Sequence, residues 1–262
     1  MKLVLRQMKK FLRSINEPET KRREKTMEKG KLLYDGKAKQ VYATDKDDEI
    51  IMHYKDDATA GNGVKHDQFA GKGVLNHTIS GIIFDMLTEA GIKTHLIKKL
   101  DDRDDLVKKV EIFPLEVIVR NITTGSFCKR TGCKEGLVLD KPIFEISYKN
   151  DEYGDPLINE DHARAMGLCT EEEYEEIKRE TLKINELLKE FFLSLNLKLV
   201  DFKIEFGKDK DGNILLADEI SPDSCRLWDV NTNKKYDKDV FRQDIGDLIE
   251  TYKAVLARMQ NK

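Results

Sequence analysis

The sequence predicts an α+β chain of two lobes, the first rich in antiparallel strands and the second a mixture of helix and strand. Three observations carry that expectation. Stretches alternating apolar with polar residues recur over 31–56, 93–122 and 198–220, as half-buried strands require. Apolar residues at helical spacing fill 67–90, 171–195 and 238–259. A chain of 262 residues can bury a core without help from disulfides or a structural metal.

The elements follow in order. Residues 1–26 carry nine Lys and Arg against three Glu and lack the apolar centre of a signal peptide. They read as a basic, disordered extension before Met27, the expected natural start; an arm for RNA or a membrane surface is the alternative. From 27 to 112 extends a β-rich lobe. Residues 31–44 and 49–56 suggest an antiparallel hairpin, a Gly-rich loop occupies 58–67, and a helix covers 67–90 with Gly91 at its stop position. Residues 113–262 form the α+β second lobe. Its strand 115–122 is followed by a Gly-containing turn. Thr170 and Glu173 make a capping box for a long helix. A hairpin at 198–220 precedes one last helix from about Lys238 to Met259.

Composition excludes several function classes. The chain has 46 Lys+Arg against 49 Asp+Glu, a net charge of −3, so no whole-chain basic field invites nucleic acid. No apolar run approaches the ~18 residues of a membrane span. Cys128, Cys133, Cys169 and Cys225 form no C-x-x-C pair and read as reduced thiols of a cytoplasmic protein. The five histidines show no metal-ligand spacing.

Four constellations remain. In the late hairpin, a four-residue loop at Asp209–Gly212 would set Lys208 opposite Asn213 and Lys203 opposite Asp218. Asp201, Lys203, Glu205 and Asp218 would then share one face, and Phe202, Ile204, Phe206, Leu215 and Ala217 the other. Such carboxylates can bridge a divalent cation, although an ordinary solvated face alternates in the same way, and a one-residue slip would scatter the set. Asp35-Gly36-Lys37-Ala38-Lys39 places two lysines around a glycine, suited to phosphate or to a plain hairpin turn. Arg120-Asn-Ile-Thr-Thr-Gly-Ser126 offers a guanidinium, a hydroxyl and free N–H groups. Ser221-Pro-Asp-Ser-Cys-Arg226 leaves the same hairpin end as Asp218. Together they suit a polyanion held through a metal.

The segments 113–126 (FPLEVIVRNITTGS) and 199–207 (LVDFKIEFG) resemble the two signature segments of the phosphoribosylaminoimidazole-succinocarboxamide synthase (SAICAR synthetase) family. YDGKAKQVY, KNDEYGDP and ADEISPDSCRLWD resemble further blocks, in the family's order, from about Met27 to the C-terminus. The resemblance implies a two-lobed fold with ATP in the cleft, akin to kinases and ATP-grasp enzymes. It also implies condensation of carboxyaminoimidazole ribonucleotide (CAIR) with L-aspartate, giving SAICAR, ADP and phosphate through an acyl phosphate.

By position, the resemblance implies that Glu205 and Asp218 hold Mg²⁺. Gly36, Lys37, Ala38 and Lys39 would contact ATP, with Val41 and Ile112 at adenine, Glu116 at ribose, and Lys149 and Asp155 near the phosphates. Arg120, Ser126 and Arg226 would grip the CAIR phosphate, while Asp201 and Lys203 serve catalysis at its carboxylate end. The Thr59–Gly63 loop is assigned to closure or to aspartate. A homo-oligomer, a dimer, is expected. The rivals are a kinase, for which H-R-D and D-F-G motifs are absent, and a nucleotide- or RNA-binding regulator using residues 1–26.

Overall fold

The computed structural model describes residues 27–61 and 64–261. The expectations for residues 1–26, and for Asn62 and Gly63 of the 59–63 loop, lie outside the described residues. In chain order the first half contains β1 (Leu32–Asp35), β2 (Lys39–Ala43), β3 (Glu49–Tyr54), β4 (Asp57–Ala60), β5 (Lys65–Gln68), α1 (Lys72–Glu89), β6 (Leu96–Lys99) and β7 (Asp104–Lys108). Five of these strands form an antiparallel sheet in the order β1-β2-β3-β7-β6.

The chain continues with β8 (Glu111–Ile112), β9 (Leu115–Ile122), α2 (Gly125–Thr131), β10 (Val138–Tyr148), β11 (Leu157–Ile158), α3 (Glu160–Ala165), α4 (Glu171–Ser194) and β12 (Leu197–Lys208). It ends with β13 (Ile214–Ala217), β14 (Cys225–Asp229), α5 (Asp239–Arg242) and α6 (Leu248–Gln260). A second antiparallel sheet is built on β12. The first half of β12 pairs with β9 on one edge and β14 on the other; its last residues pair with β8 and β13. The predicted two-lobed α+β architecture is therefore the one observed.

Apolar faces position these layers. Alternate residues Phe202, Ile204 and Phe206 of β12, with Leu115, Val117 and Val119 of β9, pack beneath Ile177, Ile184, Leu188 and Phe191 of α4. Helix α1 is buried along most of its length, as expected of a helix apolar on several sides. It adds Ile79, Ile83 and Leu87 to that core, while its His77 bonds Asp105 of β7 (Nε2–Oδ1 2.8 Å). No helix among the described residues is long and apolar enough to cross a membrane.

Three expectations need correction. Helix α1 begins at Lys72 rather than near Asp67, because residues 65–68 pair with 57–60 as a hairpin where a Gly-rich loop was expected. The turn after β9 is a short helix, α2. The final helix is two helices. Asp244 adopts φ 54°, and the Asp247 carboxylate accepts from Glu250 N (2.9 Å), restarting the helix with its own N-cap.

The capping box forms as predicted: Thr170 Oγ1 accepts from Glu173 N (3.2 Å) and Glu173 Oε2 from Thr170 N (2.9 Å). Thr170→Ala should lower unfolding free energy by about 1 kcal/mol, read by denaturant titration. No measurable loss would mean the cap contributes nothing to α4.

Candidate active site

Strands β12 and β13 set the site, in a register one residue away from the predicted one. Lys208 pairs with Ile214, and Glu205 with Ala217, so the loop holds five residues and not four. Ile214 and Leu216 therefore join Phe202, Ile204 and Phe206 in the core, replacing Leu215 and Ala217. Strict alternation would now send Asp218 toward that core. Instead Asp218 leaves the strand with φ 60°, a left-handed conformation that Asp tolerates better than most residues. Its carboxylate returns to the face of Lys203 and Glu205, and the expected set survives the slip.

Two adjoining cavities open over this face. One, of about 380 Å³, is lined by Gly36, Lys37, Ala38 and Lys39 from the β1–β2 turn, by the β4–β5 hairpin, and by Lys149, Glu205 and Asp218. Its cations are each met by an acid. Lys39 contacts Asp218 and lies 3.4 Å from Glu219; Lys149 meets Glu205 at 2.5 Å, Lys37 meets Asp151 at 2.6 Å, and Lys203 bonds Glu116. Burial opposes the Lys39 charge, but Asp218, Glu219 and Glu205 outweigh it and its pKa is raised. Burial, then Asp218, raises the Glu205 carboxyl. Asp218 is lowered, because Lys39, Lys149 and Lys203 overcome the effect of its surroundings.

The second cavity, of about 360 Å³, is lined by Arg120, Ser126, Asp201, Lys203, Arg226 and Arg242. Arg120 is held through three nitrogens: Nε to Glu145 (2.7 Å), Nη1 to Asp201 (3.0 Å) and Nη2 to Ser126 Oγ (3.1 Å). Arg226 shares the same Asp201 oxygen through Nη1 (2.8 Å) and gives Nε to Asp239 (3.0 Å). Gly125 is required beside it. At φ 56° a Cβ here would be strained, and it would come within 2.9 Å of the Arg226 guanidinium carbon.

The structure thus brings together nearly every residue singled out from the sequence. Glu116, Lys203 and Asp155 line both cavities. Val41 and Ile112 line neither. Val41 lies within β2, and Ile112 pairs with Gly207, two residues beyond Glu205. Asp201 is clamped between two arginines, a strut more than a free carboxylate.

Other lining residues were missed. Arg242 lines both cavities, and Glu219 and Lys238 line the first; Asp223 and Ser224, within the Ser221–Arg226 block but given no role of their own there, line both. Lys238 and Arg242 stand four residues apart, one helical turn, and that spacing was a usable signal. Among the described residues no cluster of three or more His, Cys, Asp or Glu side chains could hold a metal unaided. Glu205 and Asp218 could hold a divalent cation that draws further oxygens from a bound phosphate.

A cleft of paired lysines and carboxylates joined to an arginine-lined pocket narrows the chemistry, and comparison with known proteins decides the family. A family model described as SAICAR synthetase matches residues 32–259. The chain belongs to the SAICAR synthetase family. It is 67% identical over 228 residues to the phosphoribosylaminoimidazole-succinocarboxamide synthase of Finegoldia magna, covering 87% of this chain and 98% of that protein. The Fusobacterium nucleatum protein of the same name is 61% identical over 236 residues, covering 90% of this chain and 100% of that protein.

Among solved structures, a SAICAR synthetase in complex with ADP superposes with TM-score 0.85 at 50% identity, covering 87% of this chain and 97% of that one. The Ehrlichia chaffeensis enzyme gives TM-score 0.85 at 46% identity, covering 87% and 98%. As a member of the SAICAR synthetase family the chain is an ATP-dependent carbon–nitrogen ligase that joins CAIR to aspartate.

Behind the arginine cavity lies a second acidic pair. Asp237 is fully buried. It accepts from the backbone of Leu227 (2.9 Å) and of Asp239 (2.8 Å). Burial, then the charge of Asp239, pushes its carboxyl up to about 7. A raised acid pKa means the folded state holds a proton that the unfolded state releases above about pH 4. This contribution to stability is therefore full below that value and is lost as pH rises through about 7. Asp237→Asn should gain stability relative to the parent between pH 5 and pH 8, read by denaturant unfolding at each pH. A difference that stays constant across that range would refute the assignment.

Proposed function

We propose that the two cavities divide the ligation between them, ATP in the lysine-lined one and CAIR in the arginine-lined one, with the reacting carboxylate near Lys203. One observation supports this above the others. Glu205 of β12 and Asp218, just past the end of β13, meet Lys39, Lys149 and Lys203 in one cavity that adjoins a pocket of three arginines.

The chemistry explains the parts. A carboxylate resists attack by an amine, so the CAIR carboxylate first takes the γ-phosphoryl group of ATP and releases ADP. The aspartate amine then attacks the acyl phosphate. The tetrahedral species that forms expels phosphate, and a proton leaves the nitrogen as the amide is made. Phosphoryl transfer chiefly demands alignment and neutralised charge. On this reading Lys37, Lys39 and Lys149 exchange their present carboxylates for phosphate oxygens. Val41 and the backbone at Ile112 border adenine, and Glu116 the ribose. Lys203 steadies charge on the CAIR carboxylate as it is phosphorylated, and Asp201 holds the arginines that flank it.

Magnesium suits Glu205 and Asp218. Burial and the neighbouring Asp218 charge disfavour the ionised Glu205 carboxylate, a penalty that a cation would relieve, and this ion is commonly held by one or two carboxylates plus substrate phosphates. When bound it would supply charge neutralisation for the phosphate oxygens. The reading also takes the protein as a cytoplasmic homo-oligomer, a dimer, in keeping with the family resemblance and its unpaired cysteines.

The test is ADP release with ATP, CAIR and aspartate omitted in turn. Sustained turnover should need all three; turnover that ignores aspartate would indicate a kinase instead. Asp218→Asn keeps a residue that tolerates positive φ and should reduce kcat by roughly two orders of magnitude or more in a chain that still folds. Near-normal turnover at saturating magnesium would remove Asp218 from the cation site.

A further inference from the structure

Arg226 and Arg242 both line the arginine cavity, and both are held from behind by one carboxylate that lines neither cavity. Asp239, at the start of α5, is 2% exposed. Its Oδ2 accepts from Arg226 Nε at 3.0 Å and its Oδ1 from Arg242 Nη1 at 2.8 Å. Gln243 Nε2 donates to Oδ2 at 3.3 Å, and Lys235 Nζ stands 3.8 Å away. The Asp239 backbone N–H is in turn fixed by Asp237 (2.8 Å). The carboxylate is thus oriented before any ligand arrives.

We propose that Asp239 is a positioning residue, which presets the Arg226–Arg242 pair to receive the anionic group of the ribonucleotide substrate. A free arginine side chain has many rotamers, and ordering one on binding costs affinity. Asp239 carries that ordering cost in the folded protein, since each arginine is anchored through one nitrogen and keeps others for the ligand. With Asp201 bonded to Arg226 Nη1 as well, the guanidinium is fixed through two nitrogens and lies close beside Gly125. Asp239 never touches substrate on this geometry, so its loss affects binding and leaves the chemical step intact.

The proposal rests on the reading of Arg226 as a phosphate contact, and the experiment separates the two. Steady-state kinetics of the full chain are measured for Asp239→Asn and Arg226→Ala, with CAIR and ATP varied in turn. Asp239→Asn replaces an acceptor by an N–H group facing an arginine. It should raise the CAIR KM roughly tenfold or more, leaving kcat and the ATP KM within about twofold, the pattern of lost uniform binding. Should that variant not fold, Asp239→Glu, which displaces the charge by one methylene, is measured in its place with the same split expected. If Arg226→Ala raises the CAIR KM while the Asp239 variant leaves it unchanged, the positioning role is wrong and the phosphate reading stands. If Arg226→Ala itself leaves the CAIR KM unchanged, the phosphate reading fails and takes this proposal with it. Lowered stability with an unchanged CAIR KM would make Asp239 a scaffold residue only and overturn the proposal.

Discussion

Charge compensation at low exposure is the constraint on which this molecule depends. Glu205, Glu219, Asp201, Asp223, Asp239, Arg120 and Lys72 are all largely withdrawn from water, and an isolated charge in such a place is strongly disfavoured. Each is tolerated because an opposite charge or a hydrogen-bond donor meets it. Lys72 is the extreme case. It is fully buried at the start of α1, and Asp223 lies 2.6 Å from its nitrogen. Asp223 also accepts from Tyr252 of α6, so one carboxylate ties two helices to the loop that runs from Asp218 to the start of β14.

The same compensation prepares the cleft for its ligands. In the lysine-lined cavity Glu205 and Asp218 are each covered by a lysine, and Lys37, Lys39, Lys149 and Lys203 are each occupied by an acid. On the proposed reading, a nucleotide and its cation would exchange partners with groups already facing one another. Opposite charges that attract when empty are also those that a polyanion and a metal would divide between them.

Much of this was legible in the sequence, for identifiable reasons. Strand alternation and the Thr170–Glu173 box are local properties, so β9, β12 and α4 emerge close to their observed bounds. The hairpin register did not, because loop length is set by Asp209. Its carboxylate accepts from Asp211 and Asn213 within the loop, a local competition that alternation does not report. The acidic face was nevertheless read correctly, because the positive φ of Asp218 compensates for the slip. Glu219 and Lys72 were missed for the opposite reason. Their partners Lys39 and Asp223 lie far away in sequence, and only tertiary packing brings them together. Strand β14 and the β4–β5 hairpin were likewise invisible, the first inside a block read for its charges and the second inside a loop read for its glycines.

Strand β12 has a hydrogen-bonded neighbour on each edge along both halves. Asp201, Lys203 and Glu205 alternate along it at about 3.3 Å per residue, spanning roughly 13 Å. On the proposed assignment it is a rigid ruler between the residues that would grip the anion and those that would seat the cation. Side-chain motion cannot stretch that distance, and no single substitution can adjust it. Evolution of a longer or shorter substrate would have to act at the rims, since inserting one residue into the ruler would invert every graduation beyond it.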